Sequence, residues 1–318
     1  MSGHLPADIE AILQRGELCY VAANARHGPH LTPTVFALSD ERVWVTTSRG
    51  SVKARAWVAD PRAAGVVRMG EVAVAFTGSV RTFDALDVRA WLPGLLEAPA
   101  LVRAWARFTR RNARFFAGYA LDARNIPLAW TPPARVFIAI ELERAAIIGP
   151  EGVAETFGDW PRGAASVPRF RAGSARVSVL EALPEDIGEP LGEAGHGALA
   201  LTGEDGLVAL PVRWVQERGW LYGVLPREVL ALAGARAPRV PAALTIDRAS
   251  WWRATYMVGA MARGEAELVL VAELEAGTRS AERIARAAGV AEGAALVRMR
   301  PERLVWWRGF TSGTVAVA

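Results

Sequence analysis

Of the 37 basic side chains in this 318-residue chain, one alone, Lys53, is lysine. Arginine and lysine are near-equivalent on a solvated surface but not where a compact ammonium must meet a phosphate. Lys53 closes the run Val45-Thr46-Thr47-Ser48-Arg49-Gly50-Ser51-Val52-Lys53, which reads as a strand end, a glycine-containing turn and the first turn of a helix. Such a junction presents backbone N–H groups and the positive end of a helix dipole. Thr46, Thr47, Ser48 and Ser51 add hydroxyls. The set describes a phosphate site made of neutral donors and one cation. Its competing reading is a helix capped by Ser48 or Ser51, with Lys53 in solvent.

Other chemistry is excluded or weak. The sole lysine follows Val52, so there is no Gly-Lys-Ser/Thr phosphate loop. Gly195-His196-Gly197-Ala198-Leu199-Ala200 has dinucleotide-loop spacing but precedes a strand instead of following one, and reads as a turn. His27-Gly28-Pro29-His30 reads as a hairpin loop; no metal site is expected. Gly309-Phe310-Thr311-Ser312-Gly313 lacks the nucleophile-elbow spacing. Cys19, the single cysteine, lies mid-strand among apolar residues and reads as a packed thiol. No catalytic residue is assigned. If the chain is an enzyme, a cofactor does the chemistry.

The elements that would carry this segment occur twice. Pro6-Ala7-Asp8-Ile9 matches Pro184-Glu185-Asp186-Ile187, and Pro33, Phe36, Trp44 and Arg49 fall on Pro211, Trp214, Tyr222 and Arg227, all at an offset of 178. Glu143-Arg144 falls on Glu302-Arg303 at 159, so the first copy holds about 19 extra residues. Short apolar runs predict strands over 18–23, 31–38, 42–47, 64–68, 71–81 and 135–148, with a helix over 52–59 ending before Asp60-Pro61. The second copy predicts strands over 197–201, 207–216, 220–224 and from 239 to 246 onward, with a helix over 227–233. Antiparallel strands with one small helix point to a closed or partly closed barrel. The extra piece is helical, with apolar spacing over 85–96 and 101–121. At the offset of 177 or 178, Lys53 falls on Leu230 or Ala231, and Thr46-Thr47-Ser48 on Val224-Leu225-Pro226. The barrel pattern therefore persists without the anion-binding chemistry, which implies one site per chain.

The run from Val43 to Trp57, followed by Asp60-Pro61-Arg62, resembles the pyridoxamine 5′-phosphate oxidase-like split-barrel superfamily, nearest its flavin/deazaflavin oxidoreductase branch. The resemblance covers 6–84 well and 135–148 loosely; the second copy resembles the fold but not the site. It implies a mainly β fold with helices (α+β): two tandem FMN-binding-type split β-barrels. The expected domains are 1–150, with a helical insert at about 85–130; a linker over 151–174; and a degenerate barrel over 175–318. The implied cofactor is FMN, with F420 as the alternative. Lys53 and Ser51 would meet its phosphate, Thr46 and Thr47 would lie along the ribityl chain with Ser48 in the same turn, and Pro33 and Thr34 would lie near the ring. The implied activity is hydride or electron transfer to a small organic substrate. A non-catalytic flavin or haem-type binder and a regulatory scaffold stay open beside it.

Tandem copies would form within one chain the two-subunit interface that the family's site needs, a pseudo-dimer, with further homodimerisation left open. Trp251-Trp252 and Trp306-Trp307 are candidates for ring stacking, against the plainer reading of core packing. The segment 101–124 carries six arginines and one aspartate, a net of +5, so the other residues sum to −1 of the total +4. Arg103, Arg107, Arg110, Arg111 and Arg114 read first as a solvated face, then as a face for an acidic partner or cofactor tail, and last for nucleic acid. Hydrophobic residues at 52% and mean hydropathy of +0.16 describe a packed protein, not a disordered one. With no spanning segment or secretory signal in view, the expectation is a cytoplasmic protein off the membrane.

Overall fold

The computed structural model describes residues 4–84, 86–87, 97–122, 124, 126, 134–170, 178–217, 219–248, 253–273, 279–290 and 293–317. Two antiparallel sheets follow one another along the chain, each folded as a split barrel. The first contains β1 (Cys19–Ala25), β2 (Gly28–Thr34), β3 (Phe36–Ser39), β4 (Arg42–Ser48), β5 (Arg62–Met69), β6 (Val72–Phe83), β7 (Arg135–Gly149) and β8 (Gly152–Phe157). Helix α1 (Ala7–Arg15) precedes β1, α2 (Val52–Ala59) joins β4 to β5, and α3 (Ala98–Arg111) and α4 (Ala113–Leu121) lie between β6 and β7.

The strand order is β2-β1-β5-β6-β7-β4-β3, with β8 on β7. Its two ends, β2 and β3, are consecutive in the chain and meet at Val35. The first barrel is thus closed by a peptide link where a ladder would otherwise run. Alternation decides what each strand buries. Along β1, Cys19, Val21 and Ala23 enter the barrel core with Phe36, Val45, Phe76 and Ile138, while Tyr20 and Ala22 face the second barrel. Trp44 points outward from β4 and is covered by Phe108 and Ala104 of α3.

The second sheet contains β9 (Ala194–Gly203), β10 (Gly206–Glu217), β11 (Trp220–Pro226), β12 (Arg239–Arg248), β13 (Val258–Leu270), β14 (Ala294–Met299), β15 (Arg303–Arg308) and β16 (Thr311–Ala316). Helix α5 (Glu185–Leu191) precedes β9, α6 (Arg227–Ala231) follows β11, and α7 (Arg279–Ala287) precedes β14. The order β12-β9-β10-β11-β14-β13 closes by β12–β13 pairing, and β15 and β16 extend it. Here β10 is unbroken: Pro211 pairs with Ala198 of β9, and from Arg213 onward the strand also pairs with β11.

Four expectations change. The single strand over 31–38 is two strands. The helix over 101–121 is two helices, broken at Asn112, whose buried amide donates to the carbonyls of Phe36 (3.1 Å) and Phe108 (2.9 Å). The stretch 151–174 contains β8, because Gly152–Phe157 adds to β7. Trp306 and Trp307, offered for stacking, lie over Gly313 and Gly259 and join the packing between strands. The helix over 85–96 and Trp251-Trp252 lie outside the described residues, apart from Leu86 and Asp87.

The barrels meet through matching faces. Tyr20, Ala22, Leu31, Ala64 and Val66 pack against Ala198, Ala200, Ala209, Ala243 and Met261. Small residues on both sides let the sheets approach closely. The seam is also bonded: Thr245 Oγ1 donates to Leu31 O (2.7 Å), Tyr20 Oη to Asp247 Oδ1 (2.8 Å) and Thr202 Oγ1 to Asn24 Oδ1 (2.9 Å). Among the described residues no helix is long and apolar enough to cross a membrane.

Candidate functional site

Strand β4 ends in the hydroxyl run, and its alternation separates the two threonines. Thr47 is buried on the inner side with Val43 and Val45, whereas Thr46 shares the outer face with Trp44. Ser51 caps α2: its Oγ accepts from Ala54 N (3.1 Å), and Thr47 Oγ1 lies 3.0 Å from the same oxygen. Ser51 N donates to Ser48 O (2.9 Å), closing the turn. Arg49 leaves this turn for Asp84, with two bonds of 2.6 Å. The hydroxyls at 47 and 51 thus build the platform from which Lys53 projects.

Lys53 is buried, only 6% exposed. Its ammonium has no hydrogen bond or ion pair among the described residues. Burial pulls its pKa down to about 8; the Cys19 thiol opposes that fall and the Arg135 guanidinium adds to it. Desolvated charge without a partner is costly, so an ammonium held there calls for an anion. The surroundings repeat that message. His30 on β2 is pushed down to about 3 by burial and then by the charges of Lys53 and Arg263. Its Nδ1 is enclosed and unpartnered. Arg135, at the start of β7, donates to Thr46 Oγ1 (2.9 Å) and Thr46 O (2.8 Å), and burial lowers its pKa. Neither cation, Lys53 or Arg135, owes its shift to a carboxylate, and His30 stays neutral beside Lys53.

The expected site residues therefore divide. Thr47, Ser51 and Lys53 gather at the α2 start, and Ser48 contributes a turn carbonyl. Thr46 faces outward with Arg135. On β2, Pro33 pairs with Tyr20 and takes the side facing the second barrel, while Thr34 pairs with Cys19. The thiol of Cys19 is fully enclosed, and burial raises its pKa strongly, which suits packing and not nucleophilic chemistry. Sequence reasoning missed His30 as a member, having read it as a loop residue, and missed Arg135, which β4–β7 pairing sets opposite Ser48 and whose charge reaches Lys53. No cluster of His, Cys, Asp and Glu able to hold a metal occurs among the described residues. Two open surface cavities of about 460 and 430 Å³ lie elsewhere, one beside Arg162 and Arg236, the other beside Glu185 and Glu189.

No family model matches the chain, and no curated protein does. Among solved structures it is similar to a FAD-binding protein from Mesorhizobium loti, with 19% identity, 45% of this chain, 94% of that one and a TM-score of 0.33. It is similar to an F420 reductase, with 18% identity, 45% of this chain, 98% of that one and a TM-score of 0.31. A third is a pyridoxamine 5′-phosphate oxidase-related, FMN-binding protein from Nostoc punctiforme, with 16% identity, 43% of this chain, 75% of that one and a TM-score of 0.32. Each spans about half of this chain, the length of one of its barrels.

Proposed function

We propose that the first barrel binds a phosphate-bearing flavin, FMN, and that the chain is a flavin-dependent oxidoreductase acting on a small organic substrate. One observation carries this reading: a buried lysine with no partner, felt by the charge of Arg135 and by no carboxylate, present in one barrel of two. Those residues fit an anionic end group. Lys53 would hold the phosphate, with the Thr47–Ser51 hydroxyl pair beside it. Bound there, a flavin would supply the hydride or electron chemistry that this chain's own side chains lack. The protein's part is to fix the anion and to exclude water from the ammonium. Matching prolines, seam faces and strand order support the barrels, 1–150 and 175–318, being duplicated copies in an intrachain pseudo-dimer, with the cofactor site in the first. We favour a cytoplasmic setting and no nucleic-acid partner.

The test is the small molecule that travels with the purified protein, by absorbance and mass spectrometry. FMN is expected in wild type and is lost in Lys53→Ala. A colourless protein that binds no added FMN overturns the reading, and unchanged occupancy in the variant overturns the site. Bleaching by NAD(P)H and recovery with a substrate separate an enzyme from a carrier. F420 stands second, favoured by the exposed Arg107 and Arg110 on α3, cations suited to an acidic tail.

A further inference from the structure

Helix α3 of the insert turns one face to the first barrel and the other outward. Ala104 and Phe108 pack inward, against Trp44. On the outer side Val102 is 67% exposed and Trp105 53%, and their spacing of three sets them side by side on the helix. Trp105 meets Phe137 edge to face, with ring centroids 5.5 Å apart, so the indole is held without being covered. Beside this apolar stripe runs a basic one: Arg103, Arg107 and Arg110, at i, i+4 and i+7, are all exposed. Arg103 pairs with Asp40 (3.2 Å). Arg107 and Arg110 have no hydrogen bond or ion pair among the described residues. Arg111 does not belong to this face, because it donates to the carbonyls of Gln14 and Gly16 and lies over the Phe36 ring.

Composition separates this face from an ordinary solvated one. Neither α3 nor α4 contains an acidic residue, and every exposed position on them is apolar, threonine or arginine. The pattern runs on to Leu121 at the end of α4, 71% exposed. Helix α1 shows the ordinary mixture, with Asp8, Gln14 and Arg15 exposed together. Charge is uneven as well: 101–124 holds a net of +5 against −1 for the other residues, which presents the insert first to an anionic surface. Thr109 apart, the exposed set has no hydroxyl or amide side chain to fix the register of a protein partner. Apolar groups flanked by guanidinium groups complement a lipid interface instead. There indole and valine enter the headgroup boundary while arginines meet phosphate.

We propose that the outer face of the helical insert docks on a membrane surface rich in anionic lipid, with Trp105 and Val102 as its anchors and Arg107 and Arg110 on the lipid phosphates. The chain lies on the bilayer and does not cross it, a peripheral attachment that suits a cytoplasmic setting. The docking is independent of the flavin reading, since none of these side chains belongs to the Lys53 site.

The probe is phosphatidylcholine vesicles with and without phosphatidylglycerol, and co-sedimentation of the full chain is measured. Wild type should bind the anionic vesicles, bind the neutral ones about tenfold more weakly or less, and be released by salt. Arg107→Gln combined with Arg110→Gln should weaken binding to the anionic vesicles about thirtyfold, from about fivefold for each cation close to the surface. Val102→Ser combined with Trp105→Ser should weaken it about tenfold, from the apolar area left in water. Circular dichroism identifies any variant that fails to fold; if the Trp105 variant does, the arginine variant and the salt dependence carry the comparison. Wild type that ignores anionic vesicles, or binds neutral ones equally, overturns the docking, as do folded variants that bind as wild type does. Poly-L-glutamate is the control for charge alone. Binding to it that survives the salt at which vesicles are released assigns the face to an acidic chain or cofactor tail, and overturns the docking too.

Discussion

The two barrels place the same strand and the same turn at the same point, and finish them with opposite chemistry. In the first, β4 ends in hydroxyls, Ser51 caps α2, and Lys53 is carried into the interior. In the second, β11 ends in Val224-Leu225-Pro226, α6 has no side-chain cap, and Val229 and Leu230 are fully enclosed. An apolar turn thus serves the architecture as well as a polar one. The lysine is a departure from the stable solution that the neighbouring barrel demonstrates, and such departures concentrate where a protein binds or reacts. Trp44 of β4 and Tyr222 of β11, at corresponding places in the two barrels, are both among the largest fully buried side chains.

That contrast can be attacked at positions the barrels share and at positions they do not. The largest stability effect belongs to the shared pair: Trp44→Ala and Tyr222→Ala should each cost about 3–5 kcal/mol in chemical unfolding. A negligible loss at either would mean that the helix-covered outer faces of the two barrels are not built alike. Lys53→Met comes next and acts in two directions. It should abolish FMN retention, yet raise the stability of the ligand-free protein by about 1–3 kcal/mol, by removing an uncompensated charge. Lowered stability would show that the ammonium has an internal partner.

The pH dependence of Lys53 follows from its depressed pKa. Between about 8 and the ordinary 10.5 the unfolded chain binds the extra proton. Stability of the ligand-free protein should therefore rise with pH across that window, and Lys53→Met should flatten the rise. FMN affinity should fall over the same range as the ammonium loses its charge. The smallest effect concerns the seam. Burial raises Asp247 from 3.8 to about 6 against the opposing hydrogen bond from Tyr20, so the folded protein holds that proton more tightly. Stability should decline as pH climbs from about 4 to 6, and Asp247→Asn should remove the decline. An unchanged profile would mean that the Asp247 carboxylate is well solvated.

Local signals located most elements. Alternating apolar runs marked the strands, Asp60-Pro61 ended α2, and Ser51 was one of two named caps. The same period-two rule sets Thr46 and Thr47 on opposite faces of β4, a consequence that the grouping of both along one ligand did not draw. The break at Val35 was not legible, because no residue there marks a boundary and the segment divides only when its first part pairs with β1 and its second with β4. The break at Asn112 depends on the Phe36 carbonyl, 76 residues away. His30 and Arg135 were out of reach for the same reason: each acts on or feels Lys53 only because distant segments are brought together.

Periodicity, turn chemistry and composition act over a few residues, and they were enough to establish paired barrels and a single lysine at a hydroxyl-lined turn. Whether that lysine stood in water or inside the protein was decided by folding, since desolvation is a property of everything packed around a group. The same holds for its lack of a partner, for barrel closure at Val35 and for the edge-to-face contact between Tyr119 of α4 and Phe310 of the β15–β16 hairpin. Solvation and electrostatics sum over neighbours that chain order does not specify, so the charge was written in the sequence and its burial only in the tertiary structure.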